Sequence, residues 1–341
     1  MDVFPHLYGQ EAVKKELLHL YKENRVPHTL LFYGDEGLGK TTAAFDFAGA
    51  LTGKGEKLFS DLSLVTEEEK KKALVLTFAD EQVWYLHPVG RELKIEQFRI
   101  FLSAMASFDE KVHVCIIDEA QTMMAPVANS LLKTLEEPEG NVHFILITHD
   151  LDALLPTIIS RGERFGFAPL SREAFLSFME GKKNQLSFPP GMDESILFQL
   201  SEGNPGITVE VCDEKGRKQP GSAMEVWEML SQGRAPFARL SGLEFKERED
   251  LRKMIRWMIL VGRDMMVLAE TGNLSMVRCV SIAQREMSVS RSWPGERWED
   301  ALRVLKTAET AVSRYINVKN IWDMILIELE HIQKGEKKWN R

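Results

Sequence analysis

The chain has 341 residues, 44% of them hydrophobic and 28% charged. This is ordinary globular composition and excludes a wholly disordered or fibrous chain. The net charge of −8 is uneven, −13 over residues 1–215 and +5 over 216–341, so neither half has the dense basic stripe of a self-sufficient DNA binder. Cys115, Cys212 and Cys279 are widely separated and form no CxxC pair. That spacing predicts no disulfide framework, no zinc site and a reducing, cytoplasmic setting. The opening MDVFPHLYGQEAVKKE has no basic-then-apolar signal segment. The most apolar stretch, 254–268, is interrupted by Arg256, Arg263 and Asp264 and is too short to span a bilayer, so no membrane partner is expected.

In chain order, residues 29–33 (TLLFY) form a short apolar strand that runs into a Gly-rich turn and a helical pattern over 41–51. Residues 95–105 place Ile95, Phe98, Leu102 and Met105 on one helical face. A second β-rich run, 112–117, is followed by a helix carrying Ala128, Leu131, Leu132 and Leu135 before Pro138; a third strand covers 142–148. Buried strands separated by amphipathic helices predict a parallel α/β sheet. From Pro169 onward the strand signals fade. Helices are predicted at 171–181 and 193–202, the second ended by Gly203-Asn204-Pro205-Gly206, and 213–222 (DEKGRKQPGS) reads as a linker. Beyond it the periodicity predicts helices over 223–232, 245–270, 275–288, 296–314 and 318–333. The expected fold class is therefore α/β plus all-α.

The sharpest chemical signal is Gly34-Asp-Glu-Gly37-Leu-Gly39-Lys40-Thr41, a complete GxxxxGK[ST] between a predicted strand and a predicted helix. Glycines let backbone amides turn inward around phosphate oxygens, where a Cβ would obstruct them. The helix beginning near Lys40 adds its positive end, Lys40 reaches the β- and γ-phosphates, and the Thr41 hydroxyl coordinates Mg²⁺. Thr42 follows in the same turn. The second signal, Cys115-Ile-Ile-Asp118-Glu119, ends a buried strand with two carboxylates. Beside a P-loop, Asp118 would hold the Mg²⁺ shell and Glu119 would polarise an attacking water. Thr148 closes the third strand, where its hydroxyl either lies beside the γ-phosphate or bonds its own backbone. Arg161 follows closely; it is either a surface ion-pair partner or a guanidinium offered in trans to a neighbour's phosphate. His28, His87, His113 and His143 lack metal-ligand spacing. The Met-rich 254–266 helix reads as a packed core or subunit face.

Three runs resemble one known family. The approach Arg25-Val-Pro-His28-Thr-Leu-Leu-Phe-Tyr-Gly34 looks like the entry to the P-loop in bacterial DNA polymerase III clamp-loader subunits, which are AAA+ proteins. Ala128-Asn-Ser-Leu-Leu-Lys133-Thr-Leu-Glu136-Glu137-Pro138 is similar to their signature after the Asp-Glu box. Leu155-Pro-Thr-Ile-Ile-Ser160-Arg161 matches their Ser-Arg-Cys motif, with Gly162 in place of Cys. Order and spacing agree across about residues 5–165; in the C-terminal part the resemblance rests on length, 257–268 and 316–329. Size and the lack of a long C-terminal extension make the chain look most like the family's delta-prime, or stator, type.

The resemblance implies an AAA+ domain at 1–167, a small helical lid at 168–214, a linker at 215–222, a helical collar at 223–334 and a tail at 335–341. It implies ATP and Mg²⁺ as ligands held by Gly34, Gly37, Gly39, Lys40, Thr41, Thr42 and Asp118. Its implied partners are a motor subunit (gamma/tau), a delta subunit and, through the assembly, a sliding clamp and primed DNA. Arg161, beside Ser160, would then act on ATP bound by the adjacent motor subunit. Two departures stand out. Many relatives carry a four-Cys zinc module between the P-loop helix and the Asp-Glu strand, whereas residues 50–110 contain no cysteine and a charged 54–81 segment stands there. Gly203-Asn204-Pro205-Gly206 matches the family's second-sensor region, yet Ile207 replaces the usual arginine, which argues against turnover. The intact Lys40, Thr41, Asp118 and Glu119 argue the other way, for a gamma/tau-like motor or another AAA+ remodelling ATPase.

Overall fold

The computed structural model describes residues 2–90, 92–136, 140–188, 193–213, 219–232, 237, 240–245, 248–293, 295–312 and 317–335. Its contacts divide the chain into two units, one of residues 1–181 with 203–206, the other of 182–202 with 207–341.

The first unit is built on a six-stranded sheet. In chain order the strands are β1 (Thr29–Tyr33), β2 (Leu76–Phe78), β3 (Val83–Leu86), β4 (His113–Ile117), β5 (Val142–Thr148) and β6 (Glu163–Gly166). Across the sheet they run β2-β3-β4-β5-β1-β6, and every pairing is parallel except β2 with β3. Parallel neighbours need crossovers. Helices α2 (Lys40–Thr52), α5 (Ile95–Met105) and α6 (Ala125–Glu136) occupy them. The apolar runs follow from burial on both faces. On β1, Leu30 and Phe32 join a core with Ala44 and Phe47 of α2, while Leu31 points into a second core with Phe98, Phe101 and Leu131 of α5 and α6. The parallel register brings the C-terminal ends of β1, β4 and β5 to one edge, with Tyr33 opposite Thr148 and Ile117 opposite Leu146. In open α/β sheets that edge is where ligands bind.

Strands β2, β3 and β6 were not expected from the sequence, because three or four residues among polar neighbours carry too little periodicity. Helices α1 (Glu11–Lys22), α3 (Gly55–Leu64), α4 (Glu67–Lys72) and α7 (Pro156–Ile159) are further additions. The charged 54–81 segment thus folds as α3, α4 and β2. Leu58 anchors it in the core, and Asp61 Oδ2 accepts the Ala79 N–H at 2.8 Å. Helix α4 is entirely charged (EEEKKK) and is held by a capping box in which Thr66 and Glu69 satisfy each other's backbone donors. Helix α8 (Arg172–Lys182) closes this unit.

The second unit is helical: α9 (Glu194–Ser201), α10 (Pro205–Cys212), α11 (Gln219–Ser231), α12 (Arg248–Thr271), α13 (Ala283–Ser290), α14 (Gly295–Val312) and α15 (Val318–Lys334). Three fully buried tryptophans centre it, and each indole N–H finds a backbone carbonyl, as buried indoles require: Trp227 to Met258, Trp298 to Ser290 and Trp322 to Leu240. Arg285 of α13 donates twice to the Glu228 carboxylate of α11, both at 2.8 Å, and holds that carboxyl below its usual range.

Two sequence expectations are corrected. Residues 219–222 of the expected linker are the first turn of α11, where Pro220 is tolerated because its missing N–H has no intrahelical partner; residues 214–218 lie outside the described residues. The single helix expected over 275–288 is instead two short 3₁₀ turns, Leu274–Met276 and Val280–Ile282, followed by α13. Asp264 Oδ2 accepts the N–H groups of Arg278 and Cys279 at 2.8 and 2.7 Å, drawing those donors away from a helical ladder. The tail at 336–341 lies outside the described residues. No described helix is long and apolar enough to cross a membrane.

Candidate functional site

Strand β1 delivers Gly34 to the C-terminal edge of the sheet, and the loop from Gly34 to Gly39 leads into α2. Gly37 has φ +83°, and a Cβ there would lie 2.6 Å from Asn204 Oδ1 and 2.9 Å from the Gly206 Cα. The approach is close because Asn204 Nδ2 donates to the Glu36 carbonyl at 2.8 Å and the Gly206 N–H donates to the Gly37 carbonyl at 3.0 Å. Gly39, at φ +91°, is the N-cap of α2 and supplies no side-chain cap. The first turn of this 13-residue helix therefore has no side-chain cap, an arrangement that suits an anion.

Lys40 is only 7% exposed, and its Nζ folds back to donate to the carbonyls of Gly34 and Asp35, each at 2.6 Å. Burial pushes its pKa down, against the opposing pull of Asp118, Glu36, Asp35 and Glu119. A phosphate arriving at the loop restores the charge balance that burial disfavours. Thr41 Oγ1 donates to Asp118 Oδ2 at 3.1 Å, so the P-loop helix and the end of β4 meet directly. Tyr85 Oη on β3 donates to the same oxygen at 2.8 Å, while Asp118 Oδ1 accepts the Glu119 N–H at 2.9 Å. Glu119 sits at φ 48°, ψ 48°, a left-handed backbone unusual outside glycine. Such outliers concentrate at functional sites. Thr42 is half-buried in the first turn of α2.

Thr148 takes the strand-end arrangement. Its hydroxyl meets the Gln121 side-chain oxygen and the Asp150 carbonyl, both at 2.9 Å, and accepts the Asp150 N–H at 3.1 Å. Thr148→Val is expected to cost about 1–2 kcal/mol in chemical unfolding while leaving phosphate binding at the loop within about twofold, because the buried Asp150 N–H loses its acceptor. A large loss of binding without a loss of stability would instead place the hydroxyl at the ligand.

Arg161 lies at the other end of the sheet. It precedes β6, whose Glu163 pairs with Leu30 near the start of β1, whereas Lys40 follows the end of β1. Its Nη1 donates to the Thr157 carbonyl at 2.5 Å, and Ser160 Oγ donates to the same carbonyl at 3.1 Å. The histidines are occupied locally. Nδ1 of His28 meets the Val142 carbonyl, that of His143 the Pro27 carbonyl and that of His87 the Pro88 carbonyl, while His113 stacks on Phe108 and meets Asp109. Tyr85 and Gln121 touch the candidate residues Asp118 and Thr148 without any sequence signal, since neither belongs to a motif and each enters through a fold contact some thirty residues away.

Set beside known proteins, residues 9–171 match the family model described as "DNA polymerase III, delta subunit". Among curated relatives, replication factor C subunit 3 of Saccharomyces cerevisiae is 28% identical over 207 residues, covering 60% of this chain and 54% of that one. Over residues 9–171, a little under half of its length, the chain is similar to the clamp-loader family. The replication factor C small subunit of Sulfolobus acidocaldarius is 26% identical over 266 residues, 76% of this chain and 75% of that one. DNA polymerase III subunit gamma of Buchnera aphidicola subsp. Schizaphis graminum is 29% identical over 204 residues, 58% and 53% respectively. In two of these three the match spans little more than half of the relative's length. The matched region contains both the Gly34–Thr41 loop and the Asp118-Glu119 strand end.

Proposed function

We propose that the chain is a delta-prime-like clamp-loader subunit of a DNA polymerase III holoenzyme, which helps an ATP-driven assembly place a sliding clamp on primed DNA. In this reading it partners a gamma/tau motor subunit and a delta subunit, and its segments 1–167, 168–214 and 223–334 serve as AAA+ domain, lid and collar. The observation that carries it is the position of Arg161 on the sheet end opposite its own Lys40. A guanidinium placed there is out of reach of the phosphates at its own P-loop and is available to those of a neighbour.

The residues of the loop fit ATP and Mg²⁺. Gly37 and Gly39 take the positive φ that turns the loop backbone, Lys40 is buried beside the loop carbonyls, and Thr41 stands 3.1 Å from Asp118. When bound, ATP supplies the transferable phosphoryl group and the metal its charge neutralisation. Lys40 and the α2 amides would hold the phosphates. Thr41 and Asp118 would hold Mg²⁺, and Glu119 would orient a water.

In the reconstituted assembly, Arg161→Ala is expected to lower ATP turnover by at least about tenfold, because an arginine offered in trans stabilises the transition-state charge. Subunit assembly and nucleotide binding by this chain itself would stay intact. Unchanged turnover would rule out the trans role. A second reading, a gamma/tau-like motor, is favoured by the direct Thr41–Asp118 contact and the intact Glu119. Against it stands Ile207 in the place of the family's usual arginine. Sustained turnover by the isolated chain with clamp and primed DNA, lost on Lys40→Ala, would decide for the motor.

A further inference from the structure

Three side chains from three successive elements converge in the second unit. Asp264 comes from α12, Cys279 from the irregular segment after it, and Glu286 from α13. One ligand atom from each lies within 4.8 Å of the other two, and the three residues are 2%, 0% and 0% exposed. Neither carboxylate oxygen of Glu286 has a hydrogen-bond partner among the described residues. Buried polar groups in native proteins are almost always satisfied, and a carboxylate with both oxygens orphaned points to an unseen ligand. Asp264 is differently placed. The Arg278 and Cys279 backbone donors pin its Oδ2, much as outer hydrogen bonds orient metal ligands.

We propose that Asp264, Cys279 and Glu286 form a binding site for a divalent transition cation of the zinc class. A thiolate with two carboxylates suits zinc, whose bonds of about 2.0 Å to oxygen and 2.3 Å to sulfur place tetrahedral ligands roughly 3.3–3.5 Å apart. From separations of at most 4.8 Å the cluster reaches that spacing by contracting no more than about 1.5 Å, and water takes the fourth position. The charges also close. Three anionic ligands and a divalent ion leave −1, and the Arg278 guanidinium acts on both Asp264 and Cys279 and has a buried Nη1 with no partner among the described residues. Binding releases the Cys279 thiol proton and any proton on the carboxylates. The spacing of the cysteines hid this site, since only one of them takes part.

The test uses the full chain, stripped with chelator and then offered Zn²⁺ or Co²⁺ alone. The expected result is about one ion per chain, a near-ultraviolet thiolate-to-cobalt band, and a rise in melting temperature on adding Zn²⁺. Cys279→Ser removes the band, and Glu286→Gln removes stoichiometric binding and the melting shift. Glu286→Gln is nearly isosteric with the neutral acid and adds no charge to the cluster, so the variant folds and remains measurable. Lys40→Ala, which acts at the other unit, leaves all three signals in place. Absence of stoichiometric binding by the unaltered chain overturns the proposal and leaves Glu286 a buried neutral acid. Binding that survives both Cys279→Ser and Glu286→Gln overturns it equally.

Discussion

Lys40→Ala is expected to weaken ATP binding by at least about a hundredfold, or about 2.7 kcal/mol, measurable by calorimetry on the purified chain. The size follows from burial. A lysine that is 7% exposed and held against the Gly34 and Asp35 carbonyls contributes a charge-assisted contact in a partly desolvated site, where such contacts exceed their value in water. Stability should hold or rise, because the substitution removes a buried charge that its surroundings disfavour. Gly37→Ala makes the complementary case. Its new Cβ would press on Asn204 Oδ1 and the Gly206 Cα at a positive φ, so about 1–3 kcal/mol of stability should go together with nucleotide affinity. Unchanged affinity in Lys40→Ala would move the phosphate site elsewhere and count against the gamma/tau-like motor reading.

The second large effect belongs to the helical unit. Trp298→Ala is expected to destabilise that unit by about 3–5 kcal/mol in denaturant unfolding followed by circular dichroism. Trp298 is fully buried, meets Trp227 edge-on at 5.1 Å, stacks on Trp293 at 4.9 Å, and donates its indole N–H to the Ser290 carbonyl. Truncation leaves a large cavity and an orphaned carbonyl at once. Trp298→Phe keeps much of the packing and should lose only about 1–2 kcal/mol, the hydrogen bond and part of the volume. Equal losses in the two variants would show that the hydrogen bond, not the cavity, sets the cost.

Much of the phosphate loop was readable because its chemistry is contiguous. Gly34 to Thr41 must follow a strand and open a helix for its backbone amides to converge, and all of that lies within one short run. Asp118 and Glu119 stood out because a fully buried, mostly apolar strand leads straight to them. Arg161 was singled out as a residue, yet its distance from Lys40 came from the parallel pairing of β6 with β1. Strands β2, β3 and β6 escaped notice because three- and four-residue strands are stabilised by their neighbours rather than by their own pattern. The failed helix at 275–288 had acceptable local periodicity, but Asp264 on another helix captured two of its backbone donors.

The sequence by itself determined what depends on neighbours along the chain: the apolar runs of a sheet buried on both faces, the amphipathic helices, and a Gly-rich loop between a strand and a helix. Tertiary structure alone decided which distant groups meet. Thr41 reaches Asp118 across 77 residues, Tyr85 joins them across 33, and Asp264, Cys279 and Glu286 gather in one buried pocket of charge. The physical reason is that periodicity reports which face of an element is buried, whereas the energy of a polar contact depends on the partner that the packed chain places opposite it.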